Sequence, residues 1–371
     1  MTAPLAVVYH EEMLQHQPPG LEPGMRDYHA RQLRARLGEL VASGLWRHPE
    51  RPERLSSLVE RARELDDGRL LWLAPERADE PTVRRAHTGG HMQRLDKLRG
   101  RKRMLAIDST AVSPGSVDAA FRAAGAVCTG VDAVFDGRAA SAFALVRPPG
   151  HHASAAHYRG FCLINNVAVA AEHAKAVHGV ERVLIVDWDI HHGNGTASIF
   201  AADPDVLFFD LHRAAPYYPG SGALEDVGQG RARGTNLNVP LPAETSDLAV
   251  LEAIDRILVP AARRFRPGLI LVSAGFDGTS EHLACRFSRE LYAHLTDRMQ
   301  RLADELCHGR LVLALEGGYH LDPMREALAH CMRTLSEPGS ELPPIRRSRI
   351  GLPAVREAAD FLAGQSYLLQ D

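Results

Sequence analysis

The chain has 371 residues, 45% of them apolar and 24% charged, with a formal net charge of −3. That is the composition of an ordinary globular protein with ample core, in one large domain or two smaller ones. The charge balance gives no pull towards nucleic acid or an anionic membrane, so neither is expected as a partner. No apolar run approaches ~18 residues, so no membrane span is expected. The N-terminus carries His10, Glu11 and Glu12 where a signal peptide would be apolar. Five cysteines (Cys128, Cys162, Cys285, Cys307, Cys331) lack CxxC spacing and read as reduced thiols of a cytoplasmic protein. Nineteen histidines, several in tight clusters, hint at metal or proton-transfer chemistry.

In chain order, residues 4–9 read as a first strand. Segment 17–47 opens as a Pro/Gly-rich loop and ends in a helical pattern carrying Leu33, Leu37, Leu40 and Val41. The stretch from His48 to Leu55 is a turn opening a helix to about residue 65, and 70–73 is a short strand. Residues 82–98 are helical, interrupted by Gly89 and Gly90. A loop at 109–116 precedes an alanine-rich helix over 117–135. Strand 142–146 is broken by Arg147-Pro148-Pro149-Gly150 and followed at once by His151-His152.

A helix over 163–178 leads to Val183-Leu184-Ile185-Val186, an apolar β-branched run that reads as a buried parallel strand. After it come a short helix closing at Phe200 and a strand over 206–211. The loop 213–236 is long and glycine-rich, a length tied to a binding role. Helix 246–265, strand 269–274, helix 288–307, strand 311–315 and a helix to about 335 follow. A Pro- and Arg-rich tail from Glu337 ends in a last short helix. Strands alternating with helices from 142 onward imply an α/β fold with a parallel sheet covered on both faces, in a single domain over 1–371.

Parallel strands align their carboxyl ends, where ligands bind in open α/β sheets. Here those ends carry His151 and His152, then Asp187, Asp189 and His191, then Asp277, then Gly317-Gly318-Tyr319. Residues i and i+2 of a strand share a face, so Asp189 and His191 project together. With Asp277 they would make a three-ligand zinc site with an open position for water. The oxygen-rich set also admits Fe(II), Co(II) or Mn(II). Each piece alone has a structural explanation, such as a helix cap or a packing tyrosine, but four strand ends together are hard to explain that way.

These residues resemble the zinc-dependent histone deacetylase family of the arginase/deacetylase superfamily, nearest its class II and bacterial amidohydrolase members. The motifs that carry the resemblance are HPERPERL from His48, RPPGHHA from Arg147, GFCLINN from Gly160, DWDIHHGNGT from Asp187, YPGSG from Tyr218, AGFD ending at Asp277 and EGGY ending at Tyr319. The resemblance implies a three-layer αβα fold with a mostly parallel, about eight-stranded sheet. It implies catalytic zinc on Asp189, His191 and Asp277, with His152 as general base and His151 beside it on Asp187. His152 would lean on Asn194, where class I relatives carry Asp, and Tyr319 would hydrogen-bond the oxyanion, swung in by its glycines. Gly160 and Gly317 would offer backbone to the substrate, and Phe161 and Tyr218 would wall a tunnel for an alkyl chain. A structural potassium ion is implied at Asp187, Asp189, His191, Asp210 and Leu211.

Several positions depart from the family pattern. Asp210 stands where the pattern has Ser and adds a carboxylate to the cation site. The 17–47 insertion would wall the entrance or form a subunit contact, leaving a homo-oligomer (dimer or tetramer) open. Where relatives have an Asp that holds the substrate backbone, this chain reads Ser109-Thr110-Ala111-Val112, with Asp108 one place earlier. Ala284 occupies the position of a gatekeeping Glu in polyamine-specialised relatives, with Glu281 nearby. The expected activity is removal of an acetyl group from acetyl-lysine or a related acetylated amine. Acetylpolyamine deacetylation is the second reading, and a non-catalytic module that grips acylated amines is a third.

Overall fold

The computed structural model describes residues 4–19, 47–106, 108–279 and 286–370. The helical pattern of the 17–47 insertion falls almost wholly outside the described residues, as do Glu281 and Ala284. Apolar runs form the strands β1 (Leu5–Val8) and β2 (Leu70–Leu73), with α1 (Pro52–Glu64) between them. Two short helices follow, α2 (Glu80–Val83) and α3 (Gly89–Asp96). The glycines expected to interrupt a helix instead begin one, because the Thr88 hydroxyl caps it by accepting from His91 N at 3.2 Å. A two-residue hairpin, β3 (Arg103–Met104) and β4 (Ala111–Val112), forms a separate small sheet.

Helix α4 (Ser116–Phe135) is alanine-rich and packs along α5 (Asn166–His178), with β5 (Ser141–Ala144) between them in sequence. Asn165 starts α5 by accepting from Ala168 N at 3.0 Å. Then come β6 (Val183–Asp187), α6 (Asn194–Phe200), β7 (Val206–Arg213) and β8 (Asn236–Leu241). The apolar pattern does not announce β8, because Asn236, Asn238 and Pro240 interrupt it. It is an edge strand, where proline is tolerated. Its asparagine amides reach out to the Ala223 and Asp226 carbonyls, pinning the long loop that precedes it.

The helix expected over 246–265 is α7 (Asp247–Ala253) and α8 (Val259–Phe265) joined by a π-helical turn, Ile254–Leu258. The turn lies directly ahead of Pro260, which lacks an N–H and would crowd the preceding turn of a regular helix. The chain ends with β9 (Leu269–Ala274), α9 (Leu291–Cys307), β10 (Leu311–Leu315), α10 (Leu321–Ser336) and α11 (Leu352–Gln365). Helix α11 packs on α7 and β8.

The main sheet has eight parallel strands in the order β2-β1-β5-β10-β9-β6-β7-β8. Helices α4 and α5 cover one face and α1, α7, α9 and α10 the other, which makes three layers. The inner strands are buried throughout, as strands covered on both faces must be. Among the described residues no helix is long and apolar enough to cross a membrane.

Candidate active site

Strands β5, β10, β9 and β6 are consecutive neighbours, so the four polar strand ends singled out in the sequence meet at one edge of the sheet. Sequence-adjacent β5 and β6 are separated by two other strands, which opens a crevice at their carboxyl ends. In that crevice ligand atoms of Asp189, His191 and Asp277 all lie within 4.8 Å of one another. His191 Nδ1 is 3.0 Å from Asp189 Oδ1 and 3.0 Å from Asp277 Oδ2. Asp277 Oδ2 is buried and receives no hydrogen bond despite that approach.

The remaining lone pairs are held by backbone donors: His191 N to Asp189 Oδ1, Gly317 N to Asp189 Oδ2 and Ile190 N to Asp277 Oδ1, at 2.9, 2.8 and 3.1 Å. Burial would lower the His191 pKa, but Asp277 and Asp189 overcome it and raise it to about 9. Two buried carboxylates facing one imidazole nitrogen leave negative charge that a proton satisfies only in part. The donor set therefore fits a divalent ion, with zinc or another borderline metal suited to one imidazole and two carboxylates.

The histidine pair sits beside this set. His151 Nδ1 is 2.9 Å from Asp187 Oδ2, and its Nε2 is 4.0 Å from Asp189 Oδ1. Burial opposes charge on His151, but Asp187 and Asp189 raise its pKa well above the ordinary value. Asp189 N donates to Asp187 Oδ1 at 3.0 Å, which favours the carboxylate there and places the shared proton on His151. His152 behaves oppositely. Burial, then the neighbouring His151 and His191, push its pKa well below the ordinary value. Its Nδ1 is 2.7 Å from Asn194 Oδ1, so Nδ1 carries the proton and Nε2 is left as a free base. Asn194, the first residue of α6, supplies this contact from the turn that follows the ligand strand.

Tyr319 lies over the site on the β10 loop, edge-on to Phe161 at 5.8 Å. Burial raises its pKa well above the ordinary tyrosine value, so it is a proton donor at neutral pH. The glycines before it are not a free hinge, contrary to the sequence-based expectation. A Cβ on Gly317 would sit 2.4 Å from Asp189 Oδ2 and 2.5 Å from Asp277 Oδ2, so close approach to the ligands is what requires glycine. Arg54 grips the same loop, donating to the Gly318 carbonyl and, at 2.6 Å, to the Glu316 carbonyl, with its guanidinium 4.7 Å over the Tyr319 ring.

Four supporting residues, Glu50, Arg54, Arg147 and Glu316, stand within the quoted motifs but have no role assigned from the sequence. Glu316 Oε2 accepts from Gly150 N and His151 N at 2.7 and 3.1 Å, fixing the turn that presents both histidines. Fully buried Glu50 accepts from Arg147 through Nε at 2.7 Å and Nη2 at 2.9 Å, and from Arg54 Nη1 at 2.9 Å. Glu50 thus ties the base of the histidine turn to the tyrosine loop. The signal was a charged residue type in a motif otherwise flanking an apolar core.

Phe161, Gly160 and Tyr218 lie beside the histidines and Tyr319. Tyr218 is edge-on to His152 at 5.2 Å, and a Cβ on Gly160 would lie 2.3 Å from the His152 ring. Tyr217, next in sequence, stacks on His191 at 5.2 Å. Asp108 does not extend outward. It accepts from Thr110 N and Oγ1 at 3.0 and 2.7 Å, from Gly160 N at 3.1 Å and from the Tyr218 hydroxyl at 2.9 Å. Both its oxygens are thereby engaged within the chain, by Thr110, Gly160 and Tyr218. The half-exposed Arg159 donates to the same Tyr218 oxygen at 3.2 Å and lies over its ring.

Behind the ligand strand, Asp187 and Asp210 are paired in register across β6 and β7, with Leu211 following. Asp210 Oδ1 is 2.6 Å from His212 Nδ1, and its Oδ2 accepts from Gly193 N at 2.8 Å. The carboxylate that departs from the family pattern therefore has two partners within the chain.

Residues 48–335 match a family model described as the histone deacetylase domain. The chain is 39% identical over 281 residues to a histone deacetylase-like amidohydrolase of Pseudomonas aeruginosa, covering 75% of this chain and 73% of that one. It is 46% identical over 195 residues to histone deacetylase 14, chloroplastic, of Arabidopsis thaliana, covering 52% and 46%. To the human polyamine deacetylase HDAC10 it is 38% identical over 320 residues, covering 81% and 47%. The chain thus spans about half the length of the plant and human relatives. A crystal structure of the HDA15 HD domain superposes with a TM-score of 0.83 at 31% identity, covering 98% and 95%.

Proposed function

The chain belongs to the histone deacetylase family, and from that premise we propose that it is a metal-dependent amidohydrolase that removes an acetyl group from acetyl-lysine or a related acetylated amine. The observation that carries this reading is the buried Asp189, His191 and Asp277 set with the free-base His152 beside it. Zinc is our choice of ion, as in the family generally, and when bound it would polarise the acyl carbonyl and acidify the attacking water.

His152 takes the proton of that water on Nε2 and returns it to the departing amine. Asn194 keeps the proton of the other ring nitrogen in place. Protonated His151, held by Asp187, stabilises negative charge near the ligands. The Tyr319 phenol donates to the oxyanion that develops on the acyl oxygen as water adds to the acyl carbon. Phe161 and Tyr218 grip the alkyl chain, and the backbone of Gly160 and Gly317 lines its path. We further infer a structural potassium ion held by Asp187, Asp189, His191, Asp210 and Leu211. The reading as one catalytic domain is supported by the single main sheet and by α11 folding back onto it. The unpaired, buried Cys128, Cys162, Cys307 and Cys331 support a reducing compartment such as the cytoplasm.

The human relative's name supports the acetylpolyamine reading, whereas the Arg159 guanidinium at the tunnel mouth weighs against a polycationic substrate. Parallel kcat/KM measurements on an acetyl-lysine peptide, a longer acyl-lysine peptide and an N-acetylpolyamine test both. The acetyl-lysine peptide should be the best of the three. Failure of the metal-loaded protein to hydrolyse any of them would overturn the enzymatic reading in favour of a binding module.

A further inference from the structure

We propose that Asp132, His173 and His178 form a second divalent-metal site, at the end of the sheet opposite the active site and taking zinc or a similar transition metal. Asp132 lies in the last turn of α4, and His173 and His178 lie in the last turns of α5. Both helices run towards the edge where β5 and β6 begin, away from the carboxyl ends that carry the catalytic residues.

The donor atoms are already gathered. His173 Nε2 and His178 Nε2 each lie 2.7 Å from the same oxygen, Asp132 Oδ1, and all three donors are within 4.8 Å of one another. Tetrahedral zinc with bonds near 2.0 Å spaces its ligands by about 3.3 Å, so binding needs an opening of roughly 0.6 Å. The side chains are placed to make it. The His178 ring stacks on Phe135 at 4.5 Å and 18°, which fixes its plane. Two imidazoles and one carboxylate select borderline transition metals over magnesium or calcium.

A second observation favours a cation here. Helices α4 and α5 present their carboxyl ends side by side, and both carry the negative end of the helix dipole. Side-chain exposures of 36% for Asp132, 13% for His173 and 15% for His178 let an ion enter from solvent and keep water in a fourth position. Arg310, over the Phe135 ring at 4.4 Å, is a nearby cation that opposes the ion, and it limits affinity without occupying the donors. The bound ion would clamp the two helices that cover one face of the sheet.

The test counts metal. Metal-free protein is equilibrated with buffered free Zn²⁺, desalted and analysed for zinc per chain, beside the double variant His173→Ala/His178→Ala and the variant Asp132→Asn. The wild type should hold one equivalent more than either variant, and all three should hydrolyse the same substrate at similar rates. Equal zinc in all three overturns the proposal, whatever the total. Asp132→Asn retains the side-chain shape, so the count stands even if the double variant fails to fold. The site does not depend on the catalytic reading: Asp277→Asn, which leaves this cluster intact, separates the two. A wild type with one equivalent that His173→Ala/His178→Ala loses and Asp277→Asn keeps would support this site and refute the catalytic one.

Discussion

Replacing Asn194 by Asp probes the proposed base directly. The Asn194 oxygen lies 2.7 Å from His152 Nδ1, and the substitution converts a neutral acceptor into a full negative charge with little change of shape. At an effective dielectric of about 20 and a separation near 4 Å between charge centres, the attraction is about 4 kcal/mol. That corresponds to about three pKa units, and desolvating the new carboxylate removes part of it, so an upward shift of about one to three units is expected. In the wild type His152 is held well below 6.5 by burial and by His151 and His191, and a bound cation can only push it lower. Its free-base form therefore predominates at neutral pH, and the acid limb of kcat/KM should fall below pH 6.5. In Asn194→Asp the limb should move up by the same one to three units, so the variant loses rate at mildly acid pH before it does at alkaline pH. The assay is a pH profile of kcat/KM on an acetyl-lysine peptide. An acid limb that does not move would mean that His152 is not the group whose deprotonation starts the reaction.

Other perturbations read other parts of the site. Tyr319→Phe should lower kcat by about 10²–10³-fold with little change in KM, and a pure KM effect would remove the oxyanion role. His152→Ala should cost about 10²–10⁴-fold in kcat, and near-normal turnover would refute its assignment. Gly317→Ala places a methyl group 2.4 and 2.5 Å from the Asp189 and Asp277 oxygens, so catalytic metal should be lost while the fold, followed by circular dichroism, persists. Asp108→Asn weakens charge-assisted hydrogen bonds worth about 1.5–3 kcal/mol each, and should raise KM by about tenfold or more while kcat changes less. A kcat loss larger than the KM rise would place Asp108 in the chemistry rather than in the wall.

Much of this site was legible in the sequence because its chemistry is written at strand ends. The run Val183–Val186 is apolar on both faces, so Asp187, Asp189 and His191 had to begin where the strand emerges. The same logic reached Asp277 and Tyr319. Periodicity could not show that β5, β10, β9 and β6 are neighbours, since that order is set by crossovers between distant segments. It also missed β8, whose Asn236, Asn238 and Pro240 suit an edge strand whose amides hold a loop rather than one covered on both faces. The freedom assigned to Gly317 and Gly318 was misread for a related reason. A glycine admits both flexibility and close approach, and only the positions of the Asp189 and Asp277 oxygens and of Arg54 decide between them.

The least legible part is the buried ionic scaffold, and its energetics explain why the site needs it. Four carboxylates, Asp187, Asp189, Asp277 and Glu316, are buried within one crevice. Each would be expensive without a partner. Backbone N–H groups, His151 and His191 meet part of that cost. Those donors stay in place only if the loops that carry them are rigid. Glu50, Arg147 and Arg54 supply the rigidity: one carboxylate is shared by two guanidiniums, of which one roots the histidine turn and the other grips the carbonyls beside Tyr319. Breaking such a network by removing one member leaves an uncompensated buried charge, a loss of about 3–5 kcal/mol. The charged residues at 50, 54 and 147 thus act through geometry, tying the turn that carries His151 and His152 to the loop that carries Tyr319.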